Sequence, residues 1–381
     1  MVDLKTNPHQ LTITSSQVQD IYMSLEQEIF KLIAARLNTK GITSDNVLTW
    51  QIKMLNELHL VNEATIKLLS EATGLADEAI NKLFIDQGLK IYDESIAFIG
   101  KGDSKTVINP DIDQLLSGYA DQTFLDIKNT VNQTLVSTNY GEKSLTTDMY
   151  QQIIKETTGS VIAGTKTPER ALADTIYKWR DKGIKPVLVD KGGNEWSLEG
   201  YVRTVVSTTS NRAFQSVRDT AAHDNGIRTF VMSSHPASRE ACASIQGKLV
   251  TDRRKSFTDK ETGEYFESLH NHGYGTPGGT FGINCTHIKW PYIPGVNTNN
   301  QPQYDRQESV SNGKIQQKQR ALERRVREEK RKLELAKELG DEQGIIKYKL
   351  SVRKYQSAVK KIVNDNNFLG RDYSREQVYS D

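Results

Sequence analysis

Long apolar runs are missing from this chain. Across its 381 residues no stretch approaches the ~18 consecutive apolar residues that a membrane-spanning helix needs, so the membrane is not expected as a primary partner. Cysteine is scarce, with two residues. That excludes a disulfide scaffold and fits synthesis in a reducing cytoplasm. The first residues, from Met1 to Gln17, lack a basic start followed by an apolar core and predict no secretory signal. Glycine and proline, at 26 and 9 residues, are far too few for a collagen-like chain. What remains is polar: 36% hydrophobic and 26% charged, with a mean hydropathy of −0.59. Such a balance suits long solvated helices or surfaces that a partner covers. At about 100–200 residues per domain, two or three structural units are expected.

The net charge of +2 hides an asymmetry. Between Lys314 and Lys361 there are 16 Lys/Arg against 7 Asp/Glu, which leaves the other residues with a net charge of −7. One end of the chain can therefore meet an anion, although a solvated helical face explains the same composition.

Periodicity predicts a predominantly helical α+β protein. Ser15 or Ser16 can cap a helix to about Leu37, with Val18, Ile21, Leu25, Ile29 and Leu32 on one stripe. Further helices are expected from Ser44 to about Leu58, through Ile66 and Leu69 to a stop at Gly74, and onward from Asp77. Others are expected over 111–135 and 144–157, giving a helical partner-docking region over 1–160. Thr167-Pro168 is a good helix start, and Gly183 a stop. Residues 185–190 read as a strand, 198–224 as a helix, and Thr229 to Met232 as a buried strand. A small α+β domain is thus expected over 161–295. Residues 296–313 read as a polar linker, and 314–381 as a basic helical hairpin broken at Gly340 to Gly344. Its second arm carries a seam of Ile345, Tyr348, Val352, Tyr355, Val359 and Ile362.

Five of the seven histidines (223, 235, 270, 272 and 287) and both cysteines lie between 223 and 287, among many glycines. His235 with Cys242, and Cys285 with His287, form two short elements that could converge on Zn²⁺, whose tetrahedral preference two thiolates and two imidazoles satisfy. The spacings H-x6-C and C-x-H are not those of a common zinc ribbon, and C-x-H puts both side chains on one side of a strand, which is awkward for one ion. Two other readings stand beside this one. The cysteines can be a buried pair with the histidines satisfied by loop backbone, or a Cys–His nucleophile that lacks an orienting third group. His270-Asn271-His272 spells a nuclease motif only literally. Gly275 to Gly279 lacks the Gly-Lys-Ser/Thr end of a phosphate loop, so its expected role is to let the loop approach the Cys285 segment. On the hairpin, Lys314, Lys318, Arg320, Arg324, Arg325, Arg327, Lys330 and Arg331 are the candidate phosphate contacts. No aromatics are interleaved, so sequence-blind contact with duplex DNA is the form expected.

Five blocks then carry a resemblance: Trp196 to Tyr201; Thr208 to Arg212; Ser234 to Arg239 with Cys242 and Gln246-Gly247-Lys248; Gly282 to His287; and Pro291 to Gly295. In order and approximate spacing, they resemble the tailed-phage minor capsid protein 2 family, akin to the Mu F-like head morphogenesis proteins. The helical front and the segment from Gln317 to Arg324 resemble it too. The resemblance implies a non-enzymatic structural protein, present at low copy in the capsid interior near the portal after synthesis in the host bacterial cytoplasm. It implies assistance in head assembly and in DNA packaging or delivery. The implied partners are the portal protein, the major capsid or scaffolding protein, and packaged double-stranded DNA. Where such proteins often read Asn-Cys-Arg, this chain has Asn284-Cys285-Thr286, which weakens an anion-binding or catalytic role for that block. Two alternatives from other classes remain: a latent metal-dependent hydrolase or nuclease using His235, Cys242, Cys285 and His287, and a DNA-binding accessory factor free in the cytoplasm.

Overall fold

The computed structural model describes residues 8–37, 41–100, 109–135, 145–183 and 198–378. In chain order its helices and strands are α1 (Pro8–Arg36), α2 (Val47–Asn56), α3 (Leu58–Asn81), α4 (Gln87–Ile99), α5 (Ile112–Leu135), α6 (Leu145–Ile162), α7 (Pro168–Lys182), α8 (Leu198–Asp224), β1 (Thr229–Met232), α9 (Glu240–Ala243), β2 (Leu249–Thr251), β3 (Phe257–Thr258), β4 (Tyr265–Ser268), β5 (Lys289–Pro291), α10 (Arg306–Glu338) and α11 (Glu342–Asn364). A π-helical turn, Lys82–Asp86, joins α3 to α4. The protein is predominantly helical α+β, as expected. The strand anticipated at 185–190 lies outside the described residues, and the block from Trp196 to Tyr201 lies partly outside them. Among the described residues no helix is long and apolar enough to cross a membrane.

Several boundaries differ from expectation for identifiable reasons. Helix α1 is already formed at Pro8, ahead of the expected Ser15 or Ser16 cap. Gly74 does not end α3, which runs on through Asp77. One interior glycine costs about 1 kcal/mol relative to alanine, too little to break a 24-residue helix. Helix α10 starts at Arg306 rather than Lys314, because Asp305 caps it by accepting from the Glu308 N–H at 2.8 Å. The linker therefore spans only 296–305. Gly344 lies inside α11, where a Cβ would stand 2.4 Å from Asp341 Oδ2 and 2.6 Å from the Tyr177 hydroxyl. Its role is close approach rather than helix breaking; Gly340, at φ +66°, ends α10.

The chain packs as two units, each assembled from three stretches. One unit comprises residues 1–18, 77–124 and 203–318. It holds the five-stranded mixed sheet, in the order β3-β4-β2-β1-β5. Strand β1 is buried along its length and pairs antiparallel with β2 and β5, while β2 pairs parallel with β4. Phe230 and Met232 of β1 join Ala222 of α8, Ile245, Val250, Leu269, Cys242 and Cys285 in one apolar cluster. Lys289 of β5 is fully buried. Its ammonium lies 2.7 Å from Asp219 on α8 and 2.8 Å from the Tyr274 hydroxyl, and 4.3 Å from the Phe230 ring centre.

The other unit comprises residues 19–76, 125–202 and 319–381. Helix α6 packs on α2 and α7. Thr167 caps α7 and Gly183 ends it, as the sequence indicated. The expected α10/α11 seam forms through Leu322, Val326, Val352, Tyr355 and Val359. Asp341 caps α11 by accepting from the Gly344 N–H at 3.0 Å. It also accepts two hydrogen bonds from Arg170 and one from the Tyr177 hydroxyl at 2.9 Å, tying α7 to the hairpin turn.

Candidate functional site

The register of β1 on β5 builds the Cys/His cluster. Pairing Met232 with Lys289 sets the chain just beyond β1 beside the chain just before β5. The Ser233 N–H donates to the Ile288 carbonyl at 2.7 Å, and the Ile288 N–H to Ser233 Oγ at 2.9 Å. His287 is thereby held against the sheet end. From β1 the chain runs through His235 into the short helix α9, which buries Cys242. Gly247, at φ +73°, then turns it back into β2. The other side comes from a glycine-rich loop. A Cβ on Gly282 would lie 2.0 Å from the Thr276 carbonyl oxygen, and one on Gly279 1.9 Å from that of Gly273. These glycines permit the close folding that the sequence suggested. Arg239 fastens the loop from below, donating to the carbonyls of Ile283 and Gly279. Asn284 takes a left-handed conformation, φ +57°, before Cys285.

Cys242, Cys285 and His287 meet there. One ligand atom from each lies within 4.8 Å of the others, and all three residues are buried. The sulfurs are 3.8 Å apart, and Cys285 Sγ is 3.7 Å from His287 Nδ1. The C-x-H spacing, awkward on paper, is what brings Cys285 and His287 together, because the extended chain before β5 turns both side chains inward. His235 is the exception in the expected set and lies outside the three-residue cluster. Its ring packs edge-on to that of His287 with centroids 4.5 Å apart, and its Nε2 faces Ser233 Oγ at 3.2 Å.

Gln246, in a block the sequence singled out without giving it a role, orients the cluster. Its amide is fixed by the backbone of His235: Oε1 accepts from the His235 N–H, and Nε2 donates to the His235 carbonyl, each at 3.1 Å. Oε1 is therefore an acceptor toward His287 Nε2, 3.0 Å away. Nε2 of His287 must carry its proton, and in the neutral ring Nδ1 then presents a lone pair to the sulfurs. The hydrogen bond with Cys285 holds the Cys242 thiol well below its ordinary range against the opposing effect of burial, with His287 and Arg239 adding to it; the same shared proton pushes Cys285 up. Burial, followed by the neighbouring His287, lowers His235 to about 4, so its ring is neutral at physiological pH.

His270 and His272 are held in structural hydrogen bonds. His270 Nε2 lies 3.1 Å from the Asp252 carbonyl, and His272 bridges Ser244 Oγ and Glu267. A cavity of about 270 Å³ opens beside the cluster, lined by Cys285, His287, Thr208, Asn211, Arg212 and Asp219, among others.

The hairpin cations expected to face phosphates are placed unevenly. Lys314 and Lys318 are exposed. Arg325 is exposed but pairs with Glu328 at 2.8 Å, and Arg320 pairs with Glu323 at 2.9 Å. Arg324 is half-buried. Arg327 donates to the Arg375 carbonyl, and Lys330 reaches Gln377. Arg331 is buried, 3% exposed, which removes it from any phosphate-facing surface. The sequence reading missed the freer cations on α11. Lys347, Lys349, Arg353, Lys354, Lys360 and Lys361 are all exposed. At about 100° per residue Lys347, Arg353, Lys354 and Lys361 face away from the Tyr348–Val352–Val359 seam while Lys349 and Lys360 flank it, and among the described residues none pairs with a carboxylate.

Comparison with known proteins settles the family. The family model described as phage minor capsid protein 2 matches residues 6–364. The chain belongs to the phage minor capsid protein 2 family. A structural protein of Lactococcus phage LL-H is 36% identical over 368 residues, covering 94% of this chain and 98% of that relative. One from Lactococcus phage mv4 is 45% identical over 113 residues, covering 30% of this chain and 92% of that relative. No solved structure matches. Membership in the minor capsid protein 2 family makes this a phage structural protein and a component of the virion.

Proposed function

We propose that this minor capsid protein is a non-enzymatic component bound at the portal vertex inside the head, where it assists head assembly and the packaging or delivery of DNA. The observation that carries the reading is the match to a minor capsid family along nearly the whole chain, together with a full-length relative that is itself a phage structural protein. Two surface features support the partners. Leu48 and Ile52, one turn apart on α2, are 57% and 61% exposed, an apolar strip suited to a protein neighbour. The cations of α11 form a face on which packaged duplex can lie, because sequence-blind Lys/Arg contacts suit its dense phosphates. The carboxylate nearest the Cys/His cavity, Asp219, is engaged by Lys289 at 2.7 Å, which leaves it poorly placed as a general base.

The test is co-purification with the portal protein of the same phage, by size exclusion with light scattering at low and high salt. A complex that survives high salt supports docking through apolar helix faces. No complex at either salt removes the portal from the account.

A further inference from the structure

We propose that Cys242, Cys285 and His287 bind one Zn²⁺ ion, through both sulfurs and His287 Nδ1, with a solvent oxygen from the adjoining cavity as fourth ligand. The spacing of the donor atoms carries this. A tetrahedral Zn²⁺ with bonds of about 2.3 Å to sulfur and about 2.0–2.1 Å to nitrogen holds its sulfurs about 3.8 Å apart, and each sulfur about 3.6 Å from the nitrogen. The sulfurs here are 3.8 Å apart, Cys285 Sγ is 3.7 Å from Nδ1, and all three ligand atoms lie within 4.8 Å of one another. A disulfide would need about 2.05 Å between the sulfurs, and both cysteines are free thiols.

Three further observations point the same way. The backbone-clamped Gln246 amide compels His287 to carry its proton on Nε2, leaving Nδ1 as a donor toward the sulfurs. An outer hydrogen bond of this kind fixes tautomer and ring orientation in metal-ligating histidines. Two thiolates also neutralise the divalent charge, so the occupied site has no net charge to bury, as Cys242 and Cys285 at 0% and 6% exposure require. Finally, the strands around the site are two to four residues long. An ion joining α9 to the loop before β5 would staple segments that little regular structure holds. Binding needs both sulfurs as thiolates and so displaces the proton that Cys242 and Cys285 share. The site does not depend on where the protein sits in the particle.

The test uses the full chain. After expression with zinc and exhaustive desalting, elemental analysis should find one zinc per chain. Exchange to Co²⁺ should give sulfur-to-cobalt charge-transfer absorption and the visible bands of a tetrahedral ion. Cys242→Ser and Cys285→Ser should abolish that absorption, whereas His235→Ala should keep one metal per chain. Because the cysteine variants could fail to fold, a second measurement uses the wild type: titration with a mercurial should release one zinc for every two thiols modified. A chain that purifies without zinc and takes up no Co²⁺ overturns the proposal. So does a Cys242–Cys285 disulfide-linked peptide from the native protein, or a folded Cys285→Ser variant that keeps its metal.

Discussion

Removing the carboxylate of Asp219 should cost far more than removing the buried ammonium it faces. Lys289 is 0% exposed, and its ammonium lies 2.7 Å from the Asp219 carboxylate of α8. Burial alone would lower the lysine pKa, but Asp219 and then Tyr274 raise it above its ordinary value. Asp219→Ala strands that charge in the core and should destabilise by about 3–5 kcal/mol. Lys289→Met fills the space among Phe230, Tyr274 and Phe281 with a flexible apolar chain and leaves a carboxylate that is already 21% exposed. It should cost about 1 kcal/mol or less, and the double variant should resemble Lys289→Met. Urea unfolding of the three variants, monitored by tryptophan fluorescence and circular dichroism, measures this. The pH dependence checks the sign. With the folded pKa raised, the contribution of Lys289 is complete below the unfolded value of about 10.4 and is lost as pH rises through the folded pKa. In Asp219→Ala the folded pKa falls instead, so the penalty should shrink as pH rises toward about 10.4. If Lys289→Met proved as damaging as Asp219→Ala, the charge-burial reasoning would fail, and the ring contacts of the ammonium would have to carry the stability.

Asp341→Ala should destabilise by about 2 kcal/mol, because it removes the α11 cap and leaves the Tyr177 hydroxyl without its acceptor; Asp341→Asn, which can still cap, should cost about half as much, and equal losses in denaturant titrations would refute the cap. Gly282→Ala should cost about 2–3 kcal/mol, since its Cβ meets the backbone carbonyls of Thr276 and Pro277. Gly278→Ala, which meets nothing within 4 Å, should be near neutral, and similar melting temperatures for the two variants would contradict the packed loop. Duplex DNA binding by the full chain should weaken with salt, with a log–log slope of about −4 to −5 for four to six phosphate contacts. Replacing Lys354, Lys360 and Lys361 by Glu should flatten that slope, and replacing the half-buried Arg324 should do less; an unchanged slope in the triple variant would remove α11 as the contact face.

The sequence made the helical frame legible where periodicity and caps agreed. Thr167-Pro168 and Gly183 bounded α7, and the middle of the expected α11 seam, Val352, Tyr355 and Val359, packs on Leu322 and Val326 of α10. It misled where one local signal was read in isolation. Gly74 looked like a stop, yet a long helix absorbs one glycine; Gly344 looked like a break, yet it makes room for Asp341 and Tyr177. The short strands β2 to β5 were invisible, because two to four residues hold too little alternation to register, and their pairing is non-local. The Cys/His cluster was half legible. Residue types and their confinement to 235–287 named the right cysteines and His287, but only the β1–β5 register shows that His235 turns aside to Ser233 and that Gln246 sets the tautomer. On the hairpin, counting charge pointed to α10, whose cations are largely paired or buried, and passed over α11, where carboxylates are absent beyond Glu342.

The central claim is that this minor capsid protein acts within the head, at the portal. Quantitative mass spectrometry of gradient-purified particles, with the portal protein as internal standard, tests it most directly. The account predicts the chain in DNA-filled particles at a low copy number relative to the major capsid protein, and its loss from heads assembled without portal. Its absence from purified particles, or undiminished incorporation into portal-less heads, would contradict the account.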